Sequence, residues 1–382
     1  MDDCLAACFP APHSYTGDDL VEISTHGGLM VPAAALAALV VGGARPAAPG
    51  EFTRRAVLNG KMDLLQAEAT ADLIDAGSPA QRRRALHQLE RGLSDRLAAL
   101  RADILELEAL IAYDIDFPEE DEGPVAPERV RGAWDVVRGR VADLLKTAPE
   151  GERLREGALL VIAGRPNAGK SSLFNALLGA ERAIVTEIPG TTRDAIEAHA
   201  VIEGFPFRLV DTAGLRESNE RIERLGIELS KRYLDAADVI VFCRDSADDE
   251  LPDLGDKPVV EVVTKRDLPH RPPPRRPGSP AVSVVTGAGL PELRRRLAEV
   301  AFGRLLALGD VEPVVTRARH RAALERALAE LDAFWDARTH GVDAAATATH
   351  LRAAVLALDD LIGTVTPEDV LDRVFAAFCV GK

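Results

Sequence analysis

Cysteine is rare in this chain of 382 residues: Cys4, Cys8, Cys243 and Cys379 are scattered, forming neither a disulfide framework nor a paired CxxC zinc site, and this suits a reducing cytosol. Long apolar runs are missing too. The longest, Ala33 to Val41, is broken at once by Gly42, Gly43 and Arg45, far short of the roughly 18 residues that a membrane span needs. Met1-Asp2-Asp3-Cys4 lacks the basic start and long apolar core of a signal peptide, so the expectation is a cytoplasmic protein without a membrane association. Positive charge is in deficit: 46 Lys and Arg against 61 Asp and Glu give a net charge of −15, which excludes a broad basic face for direct RNA binding. Two basic clusters stand out locally, Arg82-Arg83-Arg84 and the stretch from Arg271 to Pro277. They read as a solvated helix face and a loop.

What remains is 47% hydrophobic and 28% charged, a balance that excludes disorder as the main state and, at this length, predicts two or three domains. Residues 1–60 carry Gly and Pro breakers and short apolar segments such as Asp19 to Ile23, a strand or short helix. From Lys61 to about Arg155 the texture is helical. Leu86, Leu89, Leu93, Leu97, Leu100, Ile104, Leu107 and Ile111 recur at steps of three and four, predicting one apolar stripe along a long helix, with a further helix over Pro127 to Leu145. From Gly157 to about Ala301 apolar runs alternate with amphipathic segments. Ala158–Ala163, Phe207–Val210, Asp238–Phe242, Val259–Val263 and Ala281–Val285 read as buried parallel strands separated by helices, hence a doubly wound α/β domain. Thr316–Arg338, Asp343–Ile362 and Pro367–Phe378 are again helical, so the α/β domain is expected to be inserted between two parts of one helical domain.

Directly after the first buried strand, Gly164-Arg-Pro-Asn167-Ala168-Gly169-Lys170-Ser171 fits GxxxxGK[ST], and an apolar helix opens behind it with Ser172 and Leu173. Glycines let backbone N–H groups close round phosphates, Lys170 reaches the outer phosphates, and the Ser171 hydroxyl can bind Mg²⁺. Downstream, Asp211-Thr212-Ala213-Gly214 ends the next strand: the Asp is placed to hold Mg²⁺ through water, and Gly214 offers an N–H to a γ-phosphate. Between them lies the polar loop Thr186-Glu187-Ile188-Pro189-Gly190-Thr191-Thr192, in which Thr192 is a candidate for a threonine that closes on Mg²⁺ when the γ-phosphate is present. In this order and spacing the three stretches argue for a switch GTPase using GTP and Mg²⁺.

Base recognition departs from the usual pattern. Asn-Lys-x-Asp is replaced by Thr264-Lys265-Arg266-Asp267, and the last base-facing motif stands as Ser283-Val284-Val285. Asp267 can accept from guanine N1–H and N2–H₂, a bidentate contact that adenine cannot return. Thr264 is expected to lose an amide tie between this loop, the phosphate loop and the base. Guanine preference is therefore expected with weaker affinity.

These motifs, together with Pro10–Asp19, Glu22, His26-Gly27-Gly28, the stretch Pro49–Leu64, Asp114–Pro118, Asp211–Glu217 and the terminal Phe378-Cys379-Val-Gly-Lys382, closely resemble the MnmE (formerly TrmE) family of tRNA-modifying GTPases. The resemblance runs the length of the chain. It implies a partial N-terminal tetrahydrofolate-binding and dimerisation domain of α+β type over 1–60, a helical domain over 61–155 and 306–382, and an inserted P-loop GTPase domain over 156–305. It implies a homodimer working with an FAD-dependent partner, MnmG, on C5 of the wobble uridine of certain tRNAs, with a tetrahydrofolate such as the 5-formyl form as one-carbon donor. Carried over residue by residue, Asn167, Thr186, Ile188 and Thr191 would surround K⁺, Ser171 and Thr192 would bind Mg²⁺, and Glu217 would orient the attacking water. Glu22, Lys61 and Lys382 would touch the folate, and Cys379 would stand near it. Without the family Cys379 reads as a buried structural cysteine, Glu217 as a loop carboxylate, and Glu22 and Lys61 as surface charges.

Against that pattern the chain starts about halfway through the family's N-terminal domain, without its glycine-rich opening segment and folate-contacting arginine, so folate affinity is expected to be low. Leu215 stands where many GTPases place a water-orienting Gln, and no arginine finger is evident after Thr186, so a bound K⁺ is expected to supply the positive charge. Two other readings compete with this one. The first is a GTP-binding dimerising switch or scaffold without folate chemistry. The second is a ribosome-assembly GTPase, for which no Gly-x-x-Gly RNA-binding domain or basic tail is seen.

Overall fold

The computed structural model describes residues 3–116, 125–179, 197–211, 231–246, 249, 253–269, 279–310, 312–363, 371, 374–375 and 378. They form two compact units: one from 1–71, 88–141 and 322–382, the other from 72–87 and 142–321.

In the first unit, strands β1 (Leu5–Phe9) and β2 (Leu20–Ser24) pair antiparallel from Leu5↔Ser24 to Phe9↔Leu20. The loop joining them is closed by its own polar groups: the Ala11 N–H donates to Asp19 at 2.8 Å, and the Ser14 hydroxyl accepts from the Gly17 N–H at 2.9 Å. Helix α1 (Met30–Val41) follows, then α2 (Glu51–Leu58) and α3 (Leu64–Ile74).

The long apolar stripe is carried by two helices rather than one. Helix α4 (Pro79–Leu89) ends before Arg91, whose φ of +70° breaks the helical path, and α5 runs over Gly92–Asp116. Leu93, Leu97, Leu100, Ile104, Leu107 and Ile111 are buried, whereas Leu86, assigned to the same stripe, is exposed. Opposite α5 lies α11 (Ala344–Ile362), and Arg101 donates to Asp359 at 2.7 Å across that contact. Helix α6 (Pro127–Leu145) packs on α10 (Ala318–Thr339) through Trp134 stacked on Trp335 with centroids 4.8 Å apart, and through Arg138 on Asp332 at 2.6 Å.

The second unit is built on a five-stranded sheet of order β4-β5-β3-β6-β7. Strands β3 (Ala158–Gly164), β5 (Phe205–Asp211), β6 (Val239–Arg244) and β7 (Val259–Val263) are parallel, each rich in buried Val, Leu or Ile. Strand β4 (Glu197–Ile202), not anticipated from the sequence, pairs antiparallel with β5 at the sheet edge. Of the expected strand Ala281–Val285 only a bridge at Ala281 to Val263 forms. The core joins this sheet to α7 (Ala148–Glu156), α8 (Lys170–Leu178) and α9 (Leu290–Leu308) through Leu154, Leu160, Ile162, Leu173, Leu177, Leu297 and Phe302.

Of the basic triplet on α4, Arg82 and Arg83 are exposed, as expected of a solvated face, but Arg84 turns inward. Arg84 is buried and donates to the carbonyls of Gly309, at 3.0 Å, and Glu312. Burial lowers its pKa, and its bond to Gly309 O satisfies the carbonyl of the residue that caps α9. No helix among the described residues is long and apolar enough to cross a membrane.

Candidate nucleotide site

Strand β3 delivers the chain to Gly164 at φ +143°, flush against β6: a Cβ built there would lie 2.4 Å from the Cys243 carbonyl. Only glycine fits this approach. The loop then turns through Asn167 (φ +62°) and Gly169 (φ +86°), with the Ala168 N–H donating to Arg165 O at 3.2 Å, and enters α8 at Lys170. The N-terminus of a helix behind a glycine-bearing loop presents backbone N–H groups and a positive dipole end, suited to phosphate. Lys170 is mostly buried, and its ammonium donates back to Arg165 O at 2.8 Å.

Parallel pairing of β3 with β5 sets Ile162 beside Asp211, and the Ser171 hydroxyl donates to the Asp211 carboxylate at 2.6 Å. A hydroxyl and a carboxylate side by side are hard oxygen donors of the kind Mg²⁺ takes. Beneath the loop Cys243 is fully buried; loss of solvent pushes its thiol up to about 12, the nearby Lys170 charge opposing. Ser172 is exposed on α8.

The base-side loop follows β7. Thr264, expected to have lost its tie to the phosphate loop, keeps one: its hydroxyl donates to Ala168 O at 2.7 Å, and its N–H to Arg244 O at 2.9 Å. Lys265 reaches the Asn167 carbonyl and Asp245, the latter at 2.8 Å. The Arg266 N–H donates to Val282 O at 3.0 Å, which brings Thr264–Asp267 beside the loop of Ser283, Val284 and Val285. Ser283 is buried, its hydroxyl accepting from the Thr286 N–H at 3.2 Å, while Val285 is 85% exposed.

Two contributors escaped sequence reading. Arg165 pairs with Asp249 at 3.0 Å, and that buried carboxylate accepts the N–H groups of Asp245 and Ser246 at 3.0 Å each. An acidic run after a strand reads as solvated surface, and nothing local marks Asp249 as the member turned inward.

Thr186, Glu187, Ile188, Pro189, Gly190, Thr191, Thr192, Thr212, Ala213, Gly214, Glu217, Cys379 and Lys382 lie outside the described residues. In the first unit Glu22 is exposed on β2, and Lys61 donates to Pro12 O at 2.9 Å. Asn59 donates to Thr16 O at 2.8 Å, and the Tyr15 and Thr53 hydroxyls lie 3.0 Å apart, so the stretches Pro10–Asp19 and Pro49–Leu64 are held together. Beside them a cavity of about 610 Å³ is lined by Arg45, Glu51, Arg54, Arg55, Leu58 and Phe375. The Arg45 guanidinium, the Ala48 N–H and Arg55 hold the Glu51 carboxyl well below the usual range.

A mostly parallel sheet whose first strand runs through GxxxxGKS into a helix, with an Asp at the end of the neighbouring strand, defines a P-loop nucleotide-binding fold. Comparison with known proteins narrows the class: residues 64–379 match the MnmE helical domain, and residues 1–61 match the GTP-binding protein TrmE N-terminus. A tRNA modification GTPase MnmE of Heliobacterium modesticaldum is 42% identical over all of this chain and 86% of its own length. Those of Methylobacterium radiotolerans and Aquifex aeolicus are 45% and 42% identical, each over all of this chain and 87% of their own. The chain belongs to the MnmE family. Among solved structures, the G domain of the T. maritima FeoB iron transporter aligns with 38% of this chain and 98% of its own at 26% identity. Its TM-score of 0.27 is too low to add to the strand order given above.

Proposed function

We propose that the chain is a K⁺-activated GTP hydrolase acting in tRNA modification, in a cytoplasmic homodimer that works with an FAD-dependent MnmG-type partner on C5 of the wobble uridine. The observation that carries the hydrolase reading is the 2.6 Å contact between Ser171 and Asp211 beside the phosphate loop. Ser171 and Thr192 would hold Mg²⁺, with Asp211 reaching it through water. The ion would neutralise phosphate charge. Gly164, Asn167, Ala168, Gly169, Lys170 and Ser172 then cradle phosphates, with Gly214 donating to the outermost. Asp267 selects guanine, and Glu217 orients water. Asn167, Thr186, Ile188 and Thr191 would hold K⁺, the positive charge that an arginine finger supplies elsewhere.

We further assign the 1–60, 61–155, 156–305 and 306–382 partition to folate-binding, helical, GTPase and helical domains. On this reading Glu22, Lys61, Lys382 and Cys379 would contribute to a tetrahydrofolate site. Two measurements test the reading. GTP turnover is expected to be much faster in K⁺ than in Na⁺, with Glu217→Ala cutting kcat while GTP affinity holds; equal rates in the two salts overturn the K⁺ role. Calorimetric titration of the chain with 5-formyl-tetrahydrofolate tests the other half. Binding supports one-carbon chemistry, and its absence with intact turnover favours a GTP-binding dimerising switch.

A further inference from the structure

The base-side loop and the phosphate loop are joined by consecutive side chains onto consecutive carbonyls. Thr264 is 2% exposed; its hydroxyl lies 2.7 Å from Ala168 O and 3.3 Å from Arg244 O, so its single proton goes to the nearer acceptor. Lys265, at φ +57°, turns its side chain onto Asn167 O, where it is held in place by Asp245. In a planar trans peptide the C=O and the following N–H point in opposite directions. Fixing the Ala168 carbonyl towards Thr264 therefore turns the Gly169 N–H away from the base loop, at the residue that caps α8, where phosphate is expected to sit.

We propose that Thr264 is a positioning residue that sets the phosphate loop before nucleotide arrives, its hydroxyl doing from the base side what an amide was expected to do. The proposal rests on the reading of this site as a guanine-nucleotide site. It distinguishes itself from a contact to the base: the grip is on Ala168, so it bears on whatever phosphates the loop holds, GDP and GTP alike, and not on the attacking water.

The test compares Thr264→Val, which keeps the shape and removes the hydroxyl, with Thr264→Ser, which keeps the hydroxyl. Binding of fluorescent GDP and of a non-hydrolysable fluorescent GTP analogue is measured with kcat at saturating GTP. Removing the donor leaves the buried Ala168 carbonyl without this partner, and Thr264→Val is expected to weaken both nucleotides by about tenfold while kcat stays within about twofold. Thr264→Ser is expected to restore affinity to within about twofold. Unchanged binding in Thr264→Val, weakening of only one nucleotide, or a Ser variant as weak as Val overturns the proposal. Should Thr264→Val not fold, Thr264→Ala carries the same comparison against Ser. Failure of the underlying reading shows separately: the unmodified chain would then bind ATP as well as GTP, or neither.

Discussion

Strands β1 and β3 are both apolar, Leu-Ala-Ala-Cys-Phe against Ala-Leu-Leu-Val-Ile-Ala-Gly, yet four of the five residues of β1 are exposed while the first five of β3 are buried. The helices repeat the contrast. Helix α1 is Met-Val-Pro-Ala-Ala-Ala-Leu-Ala-Ala-Leu-Val-Val and buries none of its residues, whereas α8, more polar, buries Lys170, Leu173 and Leu177. Burial is decided by neighbours. Strand β3 has β5 on one side and β6 on the other, with helices against the sheet; among the described residues β1 pairs with β2 alone. Apolar content therefore measures stability only where a second surface completes the layer.

The largest effect that sharpens this contrast lies between β6 and β7. Arg244 and Glu261 form an ion pair at 2.9 Å, their side chains 3% and 7% exposed. Removing one partner strands a buried charge, so Glu261→Ala is expected to cost about 3–5 kcal/mol in urea unfolding of the full chain. Replacing both by apolar residues of similar volume should recover most of that loss. A second effect comes from the centre of the sheet: Leu160→Ala is expected to cost about 2–5 kcal/mol, because a residue enclosed on all sides leaves a cavity.

Cys243 extends the contrast to chemistry. Its thiol is pushed up to about 12 from an ordinary 9.0 by burial, so the folded state keeps the proton that the unfolded chain releases. The stability this contributes is fully present below pH 9 and declines as pH rises from 9 towards 12. Cys4 and Cys8 are exposed. At pH 8, alkylation of the buried Cys243 by iodoacetamide is expected to be far slower than that of the exposed Cys4 or Cys8, because burial both shuts out the reagent and disfavours the Cys243 thiolate. Mass spectrometry of the labelled peptides measures it, and comparable rates would show that β6 opens readily.

How much of this was legible in the sequence follows the reach of each interaction. The phosphate site was readable because Gly164, Lys170 and Ser171 act within eight residues, and strand and helix flank them directly. The helix over Pro127–Leu145 matched its bounds because its cues are local. Arg84 was misread because its acceptors at Gly309 and Glu312 lie more than 220 residues away. Strand β4 went unseen because only Ala200, Val201 and Ile202 are buried, and its partner β5 reads as a strand by itself. The break at Arg91 hid inside a stripe whose spacing continued across two helices. At Thr264 the sequence showed which side chain was missing but not what the remaining hydroxyl could reach.

The smallest expected effect sits on the exposed side of the comparison. Leu5 is 74% exposed, Leu39 47% and Val41 89%. A side chain wetted in both the folded and unfolded states gains little from folding, so Leu5→Ala and Leu39→Ala are each expected to change stability by no more than about 0.5 kcal/mol. The same leucine-to-alanine change that costs several kcal/mol in β3 is then nearly silent in β1 and α1. The measurement is urea unfolding at submicromolar protein, repeated at a hundredfold higher concentration. A dilute-solution cost above about 1.5 kcal/mol would mean that this face is covered within one chain, contrary to the exposure seen here. A cost that grows with concentration would place a second copy against it, because only association makes stability depend on how much protein is present.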